Sequence, residues 1–425
     1  MYTLDVLNRL KDIDCDKDIK SLSYAVFPGT HCPLFGVVLT ASYIKNMALV
    51  IVGTNECTYY SKNFAYHRQV GKDSVYSVVL KDKDIVFGAE KKVVEAVKYI
   101  SEIDEFDAIM IVTTCVPELI GEDYNALSSE LEDMLGIPVL TVNTEHYTCN
   151  SHILGMARAL KSLSSVMESY KNKEGVNILG HRQENVEDTE LVKLLIKKDI
   201  KINCVIPSKC TIKNIKNASS VKLNIVTDMI ALDLAEDMKN KFGIEYIYFD
   251  KNMKESIIIE NYNKLCKILD IDVQDELSKQ RQRYNSLLSD CRYLLEGKKL
   301  IYGNTPMMAF ETVDFLTELG LVPEFIQVRE LYEQDSLFKD NIIKKGYNPY
   351  VSRIANIAPL RSLYENINAD IYIGHENPML LREKGLMQIT LDEHAQKIGF
   401  ELPIGIMKTL IKLFDADKST RKEVI

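Results

Sequence analysis

The chain has 425 residues, of which 46% are apolar and 27% charged, with a net charge of −9. That balance suits packed globular layers, and the length predicts about two to four domains. An acidic chain with no long Lys/Arg run lacks the basic face of a nucleic-acid binder. No apolar run reaches the roughly 18 residues of a membrane span, and the acidic start MYTLDVLNRLKDIDCDKD is unlike a signal peptide, so the expected location is cytoplasmic.

Taken in order, residues 1–24 read as an arm with one short helix, and residues 34–46 as a helix. MALVIVG at 47–53 is a buried-strand candidate by length and β-branching. A strand at 74–80, a helix at 88–101, a strand at 108–114, a helix at 123–135 and a strand at 137–143 follow. The alternation restarts with VNILG at 176–180. It runs through helix 188–198, strands 202–207 and 223–227, helix 229–241 and strand 244–250. A long helical region at 255–296, broken near Asp270–Asp272, leads into a third series. That series has strands at 298–304, 324–330, 369–375 and 386–392, a helix at 307–319, and a last helix opened at Pro403. Strand–helix alternation of this kind argues parallel sheets covered on both faces. The predicted class is α/β, with three Rossmann-like domains, each a short parallel sheet flanked by helices. The expected spans are 1–170, 171–296 and 297–425. No GxGxxG or GxxxxGK[ST] loop follows a first strand, so no nucleotide is expected on this chain.

Nine cysteines are present without any CxxC pair, which excludes zinc ribbons and thioredoxin-type redox motifs. Disulfides are not expected in a cytoplasmic chain. Three of them, Cys32, Cys57 and Cys115, fall where a strand gives way to a turn or just before a helix. Ligands bind outside the carboxyl ends of strands in open α/β sheets. Helix N-terminal amides favour thiolate, and soft thiolates favour iron–sulfur chemistry. Gly29, Gly36, Gly53 and Gly121 would let backbone approach a bulky cluster. Against this stands the plain reading of each thiol as a small packed hydrophobe. Cys204 and Cys210 flank a strand end. Cys266 and Cys291 lie on helices, and Cys15 is in the arm. All five read as non-ligands. Tyr59 and Tyr60 read as domain-interface packing rather than a shield that keeps water from the cluster.

The stretches CPLFGVVLTASYIKNMALVIVGTNEC, VFGAEKKVVEAV, IVTTCVPELIGEDYNAL and VNTEHYTCNSHILG resemble the nitrogenase component 1 family. TTCxxExIGxD and the segment Phe87–Ala89 are its specific signatures, and weaker likeness runs through nearly the whole chain. The likeness is to the beta chain of the molybdenum-iron protein and to cofactor-assembly chains. It implies that Cys32, Cys57 and Cys115 ligate an iron–sulfur cluster, a four-iron cubane or larger, at a subunit interface. It implies a homologous partner subunit, in a homo- or hetero-oligomer. It also implies a P-loop ATPase iron protein as electron donor. The fourth ligand would come from the partner or from Cys149, Glu145 or His146 in the loop TEHYTCNSH; His152 reads as structural. Glu118, Glu122 and Asp123 would either dock the donor or cap a helix, with capping the default. The stretch Leu223 to Asp228 lacks the cofactor cysteine of the catalytic alpha chain, and His394 does not fall on that chain's histidine. The expected function is an electron-relaying oxidoreductase subunit. The alternatives are a cofactor-assembly scaffold, a tetrapyrrole-reducing relative, or a cluster-free α/β binding protein.

Overall fold

The structure is a computed structural model that describes residues 4–22, 32–67, 74–147, 151–183, 185–208, 210–249, 252–303, 305, 308–353 and 363–422. The chain forms two compact units. One holds Met1–Phe27, Thr189–Leu191 and Lys251–Ile425; the other holds Pro28–Asp188 and Val192–Asp250. Among the described residues no helix is long and apolar enough to cross a membrane.

In the first unit the N-terminal arm supplies a two-residue strand, β1 (Asn8–Arg9), which pairs antiparallel with the strand at Tyr350–Arg353. The second unit opens with α1 (Pro33–Ala41), β2 (Ile44–Lys45), β3 (Met47–Gly53), α2 (Asn55–His67), β4 (Val75–Val79), α3 (Asp82–Phe87) and α4 (Glu90–Ile103). It continues through β5 (Ala108–Thr113), α5 (Cys115–Ile120), α6 (Tyr124–Leu135), β6 (Val139–Asn143) and α7 (His152–Ser162). Strands β3 to β6 make a parallel sheet in the order β4-β3-β5-β6. Every residue of β3 and β5 is buried. That is the signature of central parallel strands covered on both faces, and it explains why both read as unbroken apolar runs. On one face α4 buries Val93, Val97 and Ile100, spaced along a single helical stripe. Asp123 caps α6, accepting from the Asn125 and Ala126 amides.

Further along the same unit come β7 (Val176–Leu179), α8 (Glu190–Lys197, whose start belongs to the first unit), β8 (Ile202–Ile206), β9 (Cys210–Thr211), α9 (Ile212–Lys216), β10 (Leu223–Val226), α10 (Leu232–Phe242) and β11 (Glu245–Tyr248). They form a second parallel sheet, β11-β10-β7-β8. The short pair β2–β9 and one continuous apolar core join the two sheets of this unit.

The rest of the first unit has α11 (Glu255–Leu269) and α12 (Gln274–Leu295). Between them Asp270, at φ 54°, ends α11 where the sequence predicts a break. A third sheet follows, of β12 (Lys299–Tyr302), β13 (Val322–Val328), β14 (Tyr350–Arg353), β15 (Ile371–Ile373) and β16 (Met387–Ile389). Its order is β1-β14-β13-β12-β15-β16, parallel except for β1. The predicted α/β class with Rossmann-like parallel sheets is what the chain adopts.

Several elements depart from the sequence reading. The helix predicted over 34–46 stops at Ala41, because residues 44–45 leave it to pair with β9 and Asn46 turns the chain at φ 57°. Helices α2, α5 and α7 carry weak local signals: α2 is polar and aromatic, α5 has six residues, and α7 contains Gly155. A glycine inside a helix costs about 1 kcal/mol. Here packing overrides that cost, since α1 and α7 cross at Gly36 and Gly155. A Cβ on Gly36 would overlap the His152 carbonyl, and one on Gly155 would overlap the Pro33 carbonyl.

Thr189–Leu191 join the first unit through Glu190. Its carboxylate accepts from the Tyr262 hydroxyl at 2.7 Å and the Phe400 amide at 3.1 Å. Its second oxygen is buried, and burial pushes the group up to about 7 from 4.5. A raised carboxyl favours the fold in its neutral form. That stabilisation is complete below the unfolded pKa and is lost as pH rises through the folded one. Glu190→Gln, isosteric with the neutral acid, should therefore flatten the fall in stability between about pH 5 and 8. The difference should be on the order of 2 kcal/mol at the upper end, read from urea midpoints across that range.

Candidate metal centre

Strands β3 and β5 are hydrogen-bonded neighbours, with Val52 opposite Thr113. Their carboxyl ends therefore open at one place. Gly53 ends β3 so close to Thr114 that a Cβ would strike the Thr114 side chain, and the Thr114 amide donates to the Val52 carbonyl at 3.1 Å. From this tight pair of ends two helices begin. Cys57 is the third residue of α2, and Cys115 is the first of α5. Cys57 thus lies within a first helical turn rather than in a strand-end turn, as the sequence suggests. Cys32 is the N-cap of α1, with Pro33 at the first helical position. The α1–α7 crossing sets where that N-terminus lies.

The three thiols converge. Cys57 and Cys115 both act electrostatically on Cys32, and Cys57 acts on Cys115. Burial pushes the Cys32 thiol up to about 11, against lowering by the Leu34 and Phe35 amides, and it pushes Cys115 up as well. The helix amides act on Cys32 in the expected direction without deciding the net shift. Half-buried sulfur loses more hydration energy than two amides return. Among the described residues no three His, Cys, Asp or Glu side chains stand at single-ion spacing. Soft sulfur donors are the kind that iron–sulfur chemistry uses.

Around Cys115 the chain is tightly fixed. Glu118 accepts from the Thr113 hydroxyl at 2.6 Å, the Thr144 amide at 2.5 Å and the Glu145 amide at 2.8 Å. Glu122 accepts from the Ala89 amide and the Tyr124 hydroxyl. Of the three acids, Asp123 caps a helix as expected. Glu118 and Glu122 instead bind loops, because acceptors facing unpaired loop amides are worth more there than at a helix end already capped. Glu145 adopts φ 45°, and its carboxylate pairs with Arg158 at 2.7 Å. The next residue, His146, brings Nδ1 to 3.3 Å from the Cys115 sulfur. His152 stacks edge-on against Phe35, with ring centroids 5.8 Å apart.

The other sequence candidates separate from this place. Cys149 and Gly29 lie outside the described residues. Gly36 and Gly53 serve close approach of protein to protein, while Gly121, at φ 80°, ends α5 facing open space. Cys204 donates to the Asn177 side chain at 3.1 Å and Cys210 to the Pro207 carbonyl at 3.0 Å; both are buried, and burial raises both thiols. Cys291 is buried, Cys266 half-buried and Cys15 exposed. Tyr59 and Tyr60 are exposed on α2, their rings edge-on to each other. In the second sheet Asp228 sits after β10, where Arg182 approaches it at 3.4 Å. In the first unit His394 is buried between Thr409 and Lys397 and is held down to about 4 by burial and the lysine charge. Sequence reasoning missed Arg158 and the clamping role of Glu118, because their partners lie on other elements.

The chain is 22% identical to a nitrogenase iron-molybdenum cofactor biosynthesis protein NifE from Nostoc sp., over 94% of this chain and 86% of that one. It is 25% identical to the NifE of Clostridium pasteurianum, over 85% and 81%. It is 27% identical to the nitrogenase molybdenum-iron protein alpha chain of Clostridium pasteurianum, over 48% and 41%. The solved structure described as Nitrogenase Cp1 at pH 6.5 shares the fold, with a TM-score of 0.79 at 19% identity over 94% and 95% of the two chains. Residues 32–399 match the family described as Nitrogenase component 1 type Oxidoreductase, and the chain belongs to that family.

Proposed function

We propose that this chain is the cluster-bearing subunit of a nitrogenase-like complex, with Cys32, Cys57 and Cys115 as its ligands to an iron–sulfur cluster. The observation that carries this reading is the electrostatic proximity of those three thiols, two of them just past the paired ends of β3 and β5 and the third at the start of α1. Such a cluster, four-iron or larger, supplies one-electron redox chemistry when bound. Three thiolates leave a cubane one ligand short, which favours a position between this chain and a homologous subunit. An apolar face beside the cysteines supports the same partner: Phe87 is 87% exposed, and Val86, Leu119 and Ile120 are exposed with it on α3 and α5. A P-loop ATPase iron protein would deliver the electrons, in the cytoplasm.

A second role for the same site is assembly. Two relatives are named for cofactor biosynthesis. The stretch Leu223 to Asp228, which includes β10, holds no cysteine, and Asp228 pairs there with Arg182. A scaffold would hold a metallocluster at the three cysteines for transfer rather than turn over a substrate.

Protein purified without oxygen should be brown and carry several irons per chain; less than about one would overturn the cluster reading. Reduction of a substrate with an added ATPase donor would then favour the relay. Delivery of its cluster to an acceptor without such turnover would favour the scaffold.

A further inference from the structure

We propose that His146 is a positioning residue that donates a hydrogen bond to the Cys115 sulfur and so sets the reduction potential of the cluster. The inference rests on the cluster reading and adds to it a named tuning group.

The geometry is that of an N–H to sulfur bond, with Nδ1 at 3.3 Å from Sγ. A cluster-bound thiolate has lone pairs and no proton, so the ring nitrogen is the donor. The contact is built into the fold. His146 follows two residues fixed from outside the loop. Thr144 gives its amide and hydroxyl to Glu118, at 2.5 and 3.1 Å, and Glu145 gives its amide at 2.8 Å. Arg158 binds both the Thr144 carbonyl and the Glu145 carboxylate. Glu145 adopts a left-handed backbone, at φ 45°, that non-glycine residues seldom take. Glu118 lies on α5, the helix that Cys115 opens. One short helix thus presents the sulfur and also anchors the loop that brings the imidazole to it.

The consequence follows from charge. Adding an electron to a cluster raises the negative charge on its sulfurs. A donor aimed at one sulfur stabilises the reduced form more than the oxidised form, and the potential moves up. Four hydrogen bonds and an ion pair hold the loop that carries the donor.

The test compares the full chain with His146→Leu and His146→Asn. Each is purified anaerobically and reconstituted with ferrous iron and sulfide. Iron is assayed, and midpoint potentials are read by dye-mediated titration followed by electron paramagnetic resonance. Leucine fills the space without a donor; the asparagine amide reaches close to the position of Nδ1. The expected result is equal iron in all three, a midpoint shifted to more negative potential in His146→Leu, and one near the native value in His146→Asn. Equal iron with an unchanged midpoint in His146→Leu would overturn the inference and leave the cluster reading standing. Selective loss of iron from His146→Leu would also overturn it, since the ring would then be a ligand or a prop. No iron in the native chain would sink the cluster reading itself, and this inference with it.

Discussion

Gly155→Ala should destabilise the protein on the order of 3 kcal/mol, read as a lower urea midpoint. The added methyl has no space to enter, because the obstacle is the Pro33 backbone carbonyl on the facing helix rather than a side chain that could rotate away. Either α1 or α7 must move. Gly36→Ala should behave alike, through the His152 carbonyl. The two substitutions press on the same crossing, so the double variant should cost less than the sum of the singles. A sum that proved additive would mean that each helix relaxes independently. The substitution should also reach the metal centre. Cys32 is the cap of the displaced helix and Pro33 its first residue. A refolded Gly155→Ala protein should therefore retain less iron than the native chain, whereas a destabilising change in the first unit should not lower iron in folded protein.

The second large effect is expected from the cysteines taken as a series. Cys32→Ala, Cys57→Ala and Cys115→Ala should each lose most of the iron of the anaerobically purified chain. A cluster missing one of its few thiolates loses a bond that nothing nearby replaces. Cys204→Ala and Cys291→Ala should keep their iron and lose only about 1–2 kcal/mol of stability, the cost of emptying a small buried volume. Both of these thiols are buried, and each already donates a hydrogen bond to a protein oxygen or carbonyl. Iron analysis beside urea midpoints separates the two classes. If removing Cys57 costs stability but no iron, the three thiols are packing residues and the proposed centre fails.

Other residues show how far local pattern reaches. Asp123 was legible as a cap because the acid precedes an apolar-periodic stretch, and capping is settled within one turn. Glu118 was not, since its partners Thr144 and Glu145 lie after β6 and meet it only when β5 and β6 pair. The same holds for the N-terminal arm, read as an arm with one short helix. Its strand β1 finds its partner in β14, near the other end of the chain.

By itself the sequence determined the α/β class, since short β-branched runs such as MALVIVG and AIMIVT alternate with helical stretches, the pattern of parallel strands buried on both faces. It also determined which thiols to consider, through strand ends and the TTCxxExIGxD signature. Only the tertiary structure decided that Cys32, Cys57 and Cys115 lie within electrostatic reach of one another, that His146 reaches the Cys115 sulfur, and that Gly36 and Gly155 serve a helix crossing. The physical reason is range. Burial periodicity and capping are fixed by neighbours a few residues apart. Convergence of side chains depends on strand register and helix approach, which are fixed by contacts between residues far apart in the chain.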